Sequence, residues 1–199
     1  QNLELSNHEI IPDRIEAGSY ILATMATKGK LQIKKFLIEH LQEPINLFKK
    51  MGLKVKKINT NEYLFSCSRI KPINLIETKE YPGFPTDLQA QLISVFLKNG
   101  KKSKIKENIF ENRFIHVPEL RRFGADIVLM NNTVTIDKVS ELNGAEVMAT
   151  DLRGSFSLII AALLSKGETI ISRIYHLDRG YEDFDLKLKQ CGVNIKRKK

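Results

Sequence analysis

Three stretches of apolar residues along the chain each end at a glycine and lead into a segment in which apolar and polar positions alternate. These stretches cover residues 21–29, 92–100 and 158–167. Helices commonly end at a glycine because glycine adopts the left-handed backbone of a C-cap without steric cost. The pattern therefore predicts three apolar helices, each closed by its glycine and followed by a short strand.

A second glycine follows the first at a nearly constant spacing in all three places. Gly52, Gly124 and Gly192 lie 23, 24 and 25 residues further on, each between a shorter amphipathic stretch and a strand-like segment. Residues 59–65 and 131–136 are candidates for one more strand in the first two units. The chain is therefore predicted to repeat about every 70 residues as helix, strand, helix, strand.

This repeat predicts the α/β fold class and a single domain over residues 1–199, with approximate units 1–80, 81–146 and 147–199. The first helix of each unit is the more apolar one, so we expect these helices to be buried between the units. The stretch 155–164 is the most apolar of them. The third unit ends before its last strand.

An aspartate precedes each apolar helix, at Asp13, Asp87 and Asp151. An acid at a helix start accepts hydrogen bonds from free backbone N–H groups, and residues 86–89 fit a capping box. The segment 81–87 contains two prolines and a glycine, however, and such stiffness also suits a carboxylate that is held for proton transfer. Both interpretations of Asp87 stay open at this point.

Arginines recur beside the helix starts. Arg14 and Arg153 follow two of the aspartates, while Arg113 and Arg179 precede the second helices of units two and three. In one interpretation these side chains are solvated or pair with the aspartates. In the other they form a cluster at helix N-termini, which binds carboxylate or phosphate groups.

Composition narrows the choice of partner only in part. The 32 basic and 23 acidic residues give a net charge of +9, which favours anionic partners, and the lysines are scattered along the chain. Cys67 and Cys191 form neither a disulfide framework nor a metal cluster, so we expect two packing residues in a reducing compartment. The four histidines lack metal-ligand spacing, and no apolar run reaches the length of a membrane span.

A family resemblance rests on several longer motifs. Residues 82–91, Pro-Gly-Phe-Pro-Thr-Asp-Leu-Gln-Ala-Gln, resemble the signature of the UDP-N-acetylglucosamine enolpyruvyl transferases. The other segments that resemble this family, in the same order, are 11–18, 110–120, 147–153 and 173–182. The resemblance runs from about Pro12 to Lys196 and covers only the second half of the family's chain.

The resemblance implies a fold and a reaction. The family fold has two similar domains, each made of three βαβαββ-type units around buried helices, an inside-out α/β arrangement. The family transfers the enolpyruvyl group of phosphoenolpyruvate to the 3-hydroxyl of UDP-N-acetylglucosamine and releases phosphate. This is the first committed step of peptidoglycan synthesis.

The resemblance also implies roles for particular residues. Asp87 matches the general acid/base beside the sugar 3-hydroxyl, and Arg179 matches an arginine that holds the carboxylate of phosphoenolpyruvate. The matched substrate-binding positions, besides Asp87, are Ile109, Phe110, Arg113, Asp151 and Arg153. The first two of these lie beside the uridine in the family. The family's loop cysteine belongs to the absent half, so the chain alone is expected to be inactive.

By this resemblance we expect a cytoplasmic enzyme half that binds both substrates and the missing N-terminal half of the same enzyme. We expect no cofactor or metal, and neither nucleic acid nor membrane as partner. One alternative is the sister enzyme that transfers the same group to shikimate 3-phosphate. Another is a basic nucleic-acid-binding domain, but aromatic residues are only 8% of the chain and stacking motifs are absent.

Overall fold

Helices and short strands alternate along most of the described chain. The computed structural model describes residues 7–99 and 102–198. The helices in this part of the chain are α1 (Arg14–Ala26), α2 (Gln42–Met51), α3 (Gln89–Asn99), α4 (Val117–Arg122), α5 (Leu152–Leu164), α6 (Tyr175–Asp178) and α7 (Phe184–Gln190). The strands are β1 (Lys30–Ile33), β2 (Lys54–Asn59), β3 (Glu62–Ser66), β4 (Leu75–Glu77), β5 (Ser103–Lys106), β6 (Asp126–Met130), β7 (Thr133–Asp137), β8 (Glu146–Met148) and β9 (Ile170–Ser172).

The strands form three separate sheets. The first has the antiparallel order β1-β3-β2, and the second has the order β4-β5-β7-β6 with β4 parallel to β5. The third pairs β8 with β9 in parallel. Along the chain, the strands of the second sheet and helices α3 and α4 occur in the order β-α-β-α-β-β. The predicted α/β class is confirmed.

Helices α1, α3 and α5 pack against one another at the centre of the molecule. Their sequences are apolar on nearly every face, so burial on all sides is the arrangement that removes most apolar surface from water. Helix α1 can pack closely against Leu88 because residue 18 is a glycine. A Cβ atom at Gly18 would lie 2.7 Å from Cδ1 of Leu88. The prediction that the first helices are buried is confirmed.

A buried group of three polar side chains joins the three units at this centre. The hydroxyls of Ser19 on α1 and Tyr181 after α6 lie 2.9 Å apart, and Nε2 of Gln91 on α3 donates to both at 3.0 and 3.1 Å. All three residues are fully buried. Buried polar groups are costly unless they are paired, so this group favours one mutual arrangement of the three units.

The glycines at 52, 124 and 192 end α2, α4 and α7, whereas Gly167 is left-handed but lies three residues beyond the end of α5, whose C-cap is Ser165. Gly52, Gly124, Gly167 and Gly192 all adopt positive φ angles, between 85° and 116°. The prediction for Gly29 is wrong, because α1 ends at Ala26 and the left-handed residue is Lys28, with φ of 56°. Gly100 lies outside the described residues.

Two further strands predicted from the sequence, residues 59–65 and 131–136, correspond to β3 and β7. The prediction of a strand after Gly192 is wrong, because residues 193–195 form no strand within the described chain. The only sheet in this part of the described chain is the pair β8–β9, and residues 193–195 do not join it.

The two cysteines differ in environment. Cys67 is buried as predicted, and burial raises the pKa of its thiol. Cys191 is exposed, which corrects the expectation that it packs in the core. Helix α7 ends at Gln190, one residue before Cys191, so the apolar periodicity of Phe184 and Leu188 does not extend to it.

Two glycine substitutions test whether the chain packs as described. At Gly52 an added Cβ would collide with the carbonyl oxygen of Arg69, whereas at Gly124 it would meet nothing within 4 Å. Both residues are left-handed, so each Gly→Ala change costs roughly 1–2 kcal/mol of backbone strain. Gly52→Ala adds the collision and should lose about 2–5 kcal/mol in total. Urea unfolding of the two variants measures the difference, and equal losses would contradict the packing of α2 against residue 69.

Candidate functional site

Asp87 lies on a short 3₁₀ turn that precedes α3. The backbone of Pro85 is extended, and Thr86–Leu88 form the turn. Oδ1 of Asp87 accepts a hydrogen bond from Nη2 of Arg113 at 2.8 Å, and Oδ2 lies 3.5 Å from Nε of Arg153. The carboxylate is therefore held by two guanidinium groups from different units and is still about one-third exposed.

The capping box predicted at residues 86–89 is wrong. The hydroxyl of Thr86 donates to Oε2 of Glu107 at 2.9 Å, and no side chain caps the turn. Because the backbone does not occupy its oxygens, the Asp87 carboxylate can interact with other groups. Asp13 and Asp151, in contrast, are true N-caps of α1 and α5.

Glu107 is the buried centre of the loop that carries Ile109 and Phe110. Its Oε1 accepts hydrogen bonds from the backbone N–H of Ile109 at 2.9 Å and of Phe110 at 3.2 Å, and from the hydroxyl of Thr78 at 2.8 Å. With the bond from Thr86, four donors satisfy this carboxylate. A single buried acid thus ties the Phe110 loop to the turn that carries Asp87.

An open groove of about 700 Å³ lies over this loop. Its walls come from residues 107–115 and from Leu129, Asn131 and Asn132. The ring of Phe110 is 55% exposed there, and the guanidinium of Arg113 lies 5.4 Å from the ring centroid. The groove combines an exposed aromatic face with asparagine amides and one cation, a set of groups that suits a flat polar ring.

The side chain of Arg153 extends from the N-terminus of α5. Asp151 accepts hydrogen bonds from the backbone N–H of Arg153 at 2.9 Å and of Gly154 at 2.8 Å, which anchors this first turn. The guanidinium lies 5.7 Å from the ring centroid of Tyr181. Its Nη1 is buried and has no hydrogen-bond partner within the described chain, so this donor is unsatisfied.

Tyr181 connects this arginine to the buried centre. Its ring stacks on Phe156 with centroids 4.6 Å apart, and its hydroxyl belongs to the group with Ser19 and Gln91. Burial raises the pKa of its phenol, so the side chain stays neutral beneath the cation. The ring is held on one side by packing and on the other by hydrogen bonds, and it limits where Arg153 can lie.

His116 is fully buried beside the site. Burial lowers the pKa of its imidazole to about 4; the charge of Asp151 opposes this shift, and that of Arg113 adds to it. Its Nε2 has no partner among the described residues. At Gly154 a Cβ atom would lie 3.0 Å from Cβ of His116 and 2.5 Å from Oδ2 of Asp151, so the glycine permits this close packing.

Arg179 lies apart from these contacts. It is exposed at the end of α6 and lines a second open cavity, of about 750 Å³, together with acidic residues such as Asp13 and Glu182. Within the described chain no hydrogen bond or ion pair joins it to Asp87. The structure thus brings Asp87, Arg113 and Arg153 together and leaves Arg179 outside this cluster. Asp151 lies beside the cluster, as the N-cap of the helix that carries Arg153.

Sequence reasoning missed three residues of the site: Glu107, His116 and Tyr181. Their burial is the cause, because a glutamate, a histidine and a tyrosine usually lie at least partly exposed. The signal was present for two of them, since His116 and Tyr181 fall within the motifs at 110–120 and 173–182. Nothing in the sequence marks Glu107 as buried.

Two features are absent from the described residues. No group of three or more histidine, cysteine or acidic side chains there is placed to hold a metal ion. No helix in that part of the chain is both long and apolar enough to span a membrane.

Comparison with known families and relatives gives matches over most of the chain. The family of EPSP synthase (3-phosphoshikimate 1-carboxyvinyltransferase) matches residues 1–188. A UDP-N-acetylglucosamine 1-carboxyvinyltransferase from Pelagibacter ubique is 51% identical over 98% of this chain and 47% of the relative. One from Aliarcobacter butzleri is 48% identical over 99% of this chain and 47% of the relative. The chain spans about half the length of the curated relatives it matches.

Solved structures agree on the fold. The enolpyruvyl transferase NikO from Streptomyces tendae has a TM-score of 0.83 at 26% identity, over 94% of this chain and 44% of that one. An EPSP synthase from Acinetobacter baumannii has a TM-score of 0.69 at 15% identity, over the same shares, and shows the fold alone.

The buried imidazole of His116 predicts a pH-dependent stability. The folded protein keeps it neutral down to a pKa of about 4, while the unfolded chain takes up the proton near pH 6.5. Its contribution to stability is therefore present above pH 6.5 and is lost as the pH falls toward 4. Between pH 7 and 5 the free energy of unfolding should fall by about 2 kcal/mol from this group. Urea titrations at several pH values measure the slope, and His116→Gln should flatten it; an unchanged slope would refute the assignment.

Proposed function

The chain belongs to the family of EPSP synthase (3-phosphoshikimate 1-carboxyvinyltransferase), and from that premise we propose that it is about half of an enolpyruvyl transferase acting on UDP-N-acetylglucosamine and phosphoenolpyruvate. The observation that carries the proposal is the carboxylate of Asp87 between Arg113 and Arg153. The names of the most similar relatives support this choice of acceptor. The reaction would open peptidoglycan synthesis and take place in the cytoplasm.

Asp87 would act as the general base of the transfer. The sugar 3-hydroxyl must lose its proton as its oxygen bonds to the enol carbon, and a partly exposed carboxylate without backbone hydrogen bonds can take that proton. The two arginines hold the carboxylate in a fixed orientation before the substrate arrives. Such preorganisation is a larger source of rate than proton transfer alone.

The arginines would also stabilise negative charge. Asp87, Arg113 and Arg153 together carry one net positive charge, and Nη1 of Arg153 is a buried donor that has no partner within the described chain. Phosphoenolpyruvate brings a carboxylate and a phosphate, and the phosphate leaves, so donors aimed at these groups lower the barrier. Arg179 would hold the phosphoenolpyruvate carboxylate; reaching the cluster from its present exposed position would require a movement of the α6 end or of the substrate toward it.

The groove over the Phe110 loop would bind the nucleotide. Ile109 and Phe110 would contact the uracil ring, since the exposed Phe110 face and the neighbouring amides match a flat ring with polar edges. Glu107 would act as a positioning residue, because its four hydrogen bonds couple this loop to the Asp87 turn. Nucleotide and sugar would thus be positioned by one connected loop system.

The missing half of the enzyme would supply the remaining groups. Relatives of this chain are about twice as long, and the cluster around Asp87 is open on one side. An enzyme of this family that accepts shikimate 3-phosphate is the second candidate, favoured by the description of the matched family alone. Turnover assays with the two acceptors, using the complete enzyme, distinguish them.

Asp87→Asn in the complete enzyme should lower kcat by about 10²- to 10⁴-fold, because the amide cannot take the hydroxyl proton. The melting temperature should change little, since the carboxylate is partly exposed and caps no helix. Asp126→Asn, on an exposed strand, is the matched control and should keep wild-type turnover. Equal losses of stability and activity in Asp87→Asn would contradict the catalytic role.

The chain by itself should release no phosphate from the two substrates. Addition of the missing half, as a separate polypeptide or in one chain, should restore turnover because the active site needs groups from both. A coupled phosphate-release assay checks both conditions. Normal turnover by the chain alone would overturn the proposal that it is an incomplete catalytic unit.

A further inference from the structure

The positive charge of the chain is concentrated in one segment. Residues 28–71 contain ten lysines and one arginine against three glutamates, a net charge of +8 out of the total of +9. The rest of the chain has 21 basic and 20 acidic residues and is nearly neutral. The lysines themselves are scattered along the chain as expected, but the excess of positive over negative charge lies in this segment.

Every one of these cations is exposed, and none forms an ion pair within the described chain. The eleven residues are Lys28, Lys30, Lys34, Lys35, Lys49, Lys50, Lys54, Lys56, Lys57, Arg69 and Lys71. Like charges in such density repel one another, so the segment carries an electrostatic cost that a bound polyanion would remove.

Three of these lysines share the outer face of the first sheet. Lys30 on β1 and Lys54 on β2 both lie opposite Ser66 of β3, and Lys56 lies opposite Leu64. Alternate residues of β3, Tyr63 and Phe65, are buried on the inner face. Lys30 and Lys54 flank one strand, which places their Cα atoms about 10 Å apart. We call this outer surface, with Lys30, Lys54 and Lys56, the basic face.

Helix capping explains a different part of the charge. Lys49, Lys50, Arg69 and Lys71 gather at the C-terminus of α2, where the backbone N–H of Lys71 donates to the carbonyl of Met51 at 2.8 Å. Cations there stabilise the negative end of the helix dipole. The basic face has no such explanation, because it belongs to strands.

Protection of the sheet edges explains the presence of charge but not its sign. β1 and β2 are both edge strands, and charged side chains discourage pairing with a second sheet. Negatively charged side chains would protect the edges as well as positively charged ones. The one acid on this side, Glu62, accepts hydrogen bonds from Asn59 and Gln32, which lower its pKa and keep it occupied.

Contrary to the expectation from the family resemblance that a membrane is not a partner, we propose that the basic face docks on an anionic lipid bilayer surface. The sheet presents separate ammonium groups over an open face, and lysine point charges suit a plane of headgroups, whereas fork-shaped arginines suit individual phosphates. Both aromatic rings of β3 point inward, which leaves no stacking surface for single-stranded nucleic acid. Ile58, an exposed apolar residue near the hairpin tip, can enter the interface.

Vesicle flotation tests the proposal with the full chain. Wild type should float with phosphatidylglycerol/phosphatidylcholine vesicles at 50 mM salt, should not float with phosphatidylcholine alone, and should be released at 500 mM salt. Each lysine near an anionic bilayer strengthens partitioning by roughly fivefold, so Lys30→Glu/Lys54→Glu/Lys56→Glu should weaken it by about 100-fold or more. Lys104→Glu/Lys138→Glu/Lys189→Glu has the same net charge and should stay within about threefold of wild type.

Circular dichroism of both triple variants, and the triple Lys→Gln variant of the basic face, separate loss of docking from loss of fold. Equal weakening by the two Glu variants would show attraction by net charge alone and would overturn the proposal. So would failure of the wild type to float with anionic vesicles. Salt-sensitive binding to duplex DNA or to RNA that exceeds vesicle binding would assign the face to nucleic acid instead. These outcomes do not depend on catalysis, so they leave the proposed reaction unaffected.

Discussion

The hydrogen-bonded group of Ser19, Gln91 and Tyr181 is the interaction on which the rest of the arrangement depends. Each residue comes from a different unit, and none is exposed to water. Apolar contacts are non-directional, so packing alone specifies the mutual register of α1, α3 and α5 less sharply than hydrogen bonds do. A buried polar atom without its partner is costly, so the group favours a single register of the three helices.

The cluster of Asp87, Arg113 and Arg153 follows from that register. The ring of Tyr181 lies against the guanidinium of Arg153. Arg153 in turn forms an ion pair with Asp87 in the second unit. Glu107 then connects the Asp87 turn to the loop of Phe110. A connected series of contacts therefore runs from the buried core to the partly exposed Asp87 and on to the groove. The residues that meet substrate in the proposed reaction are held in part by Tyr181 and Glu107, which do not touch it.

Several structural features were predictable from local patterns. The glycines at 52, 124, 167 and 192 mark left-handed positions because few other residues adopt them cheaply. Asp13 and Asp151 cap helices because free N–H groups require a nearby acceptor. The errors at Gly29 and Cys191 concern helix ends, where a shift of one or two residues changes which side chain is left-handed or buried.

The sequence by itself determined the repeat, the apolar helices, the family resemblance and the presence of Asp87 among arginines. Only the tertiary structure decided that Asp87 pairs with Arg113 and Arg153 instead of capping α3, that Glu107 and His116 are buried, and that Lys30, Lys54 and Lys56 share one face of a sheet. The physical reason is the separation along the chain over which each kind of interaction acts. Caps, turns and periodicity act between residues a few positions apart, whereas ion pairs and burial depend on which distant segments meet, and that is settled by packing of the whole core.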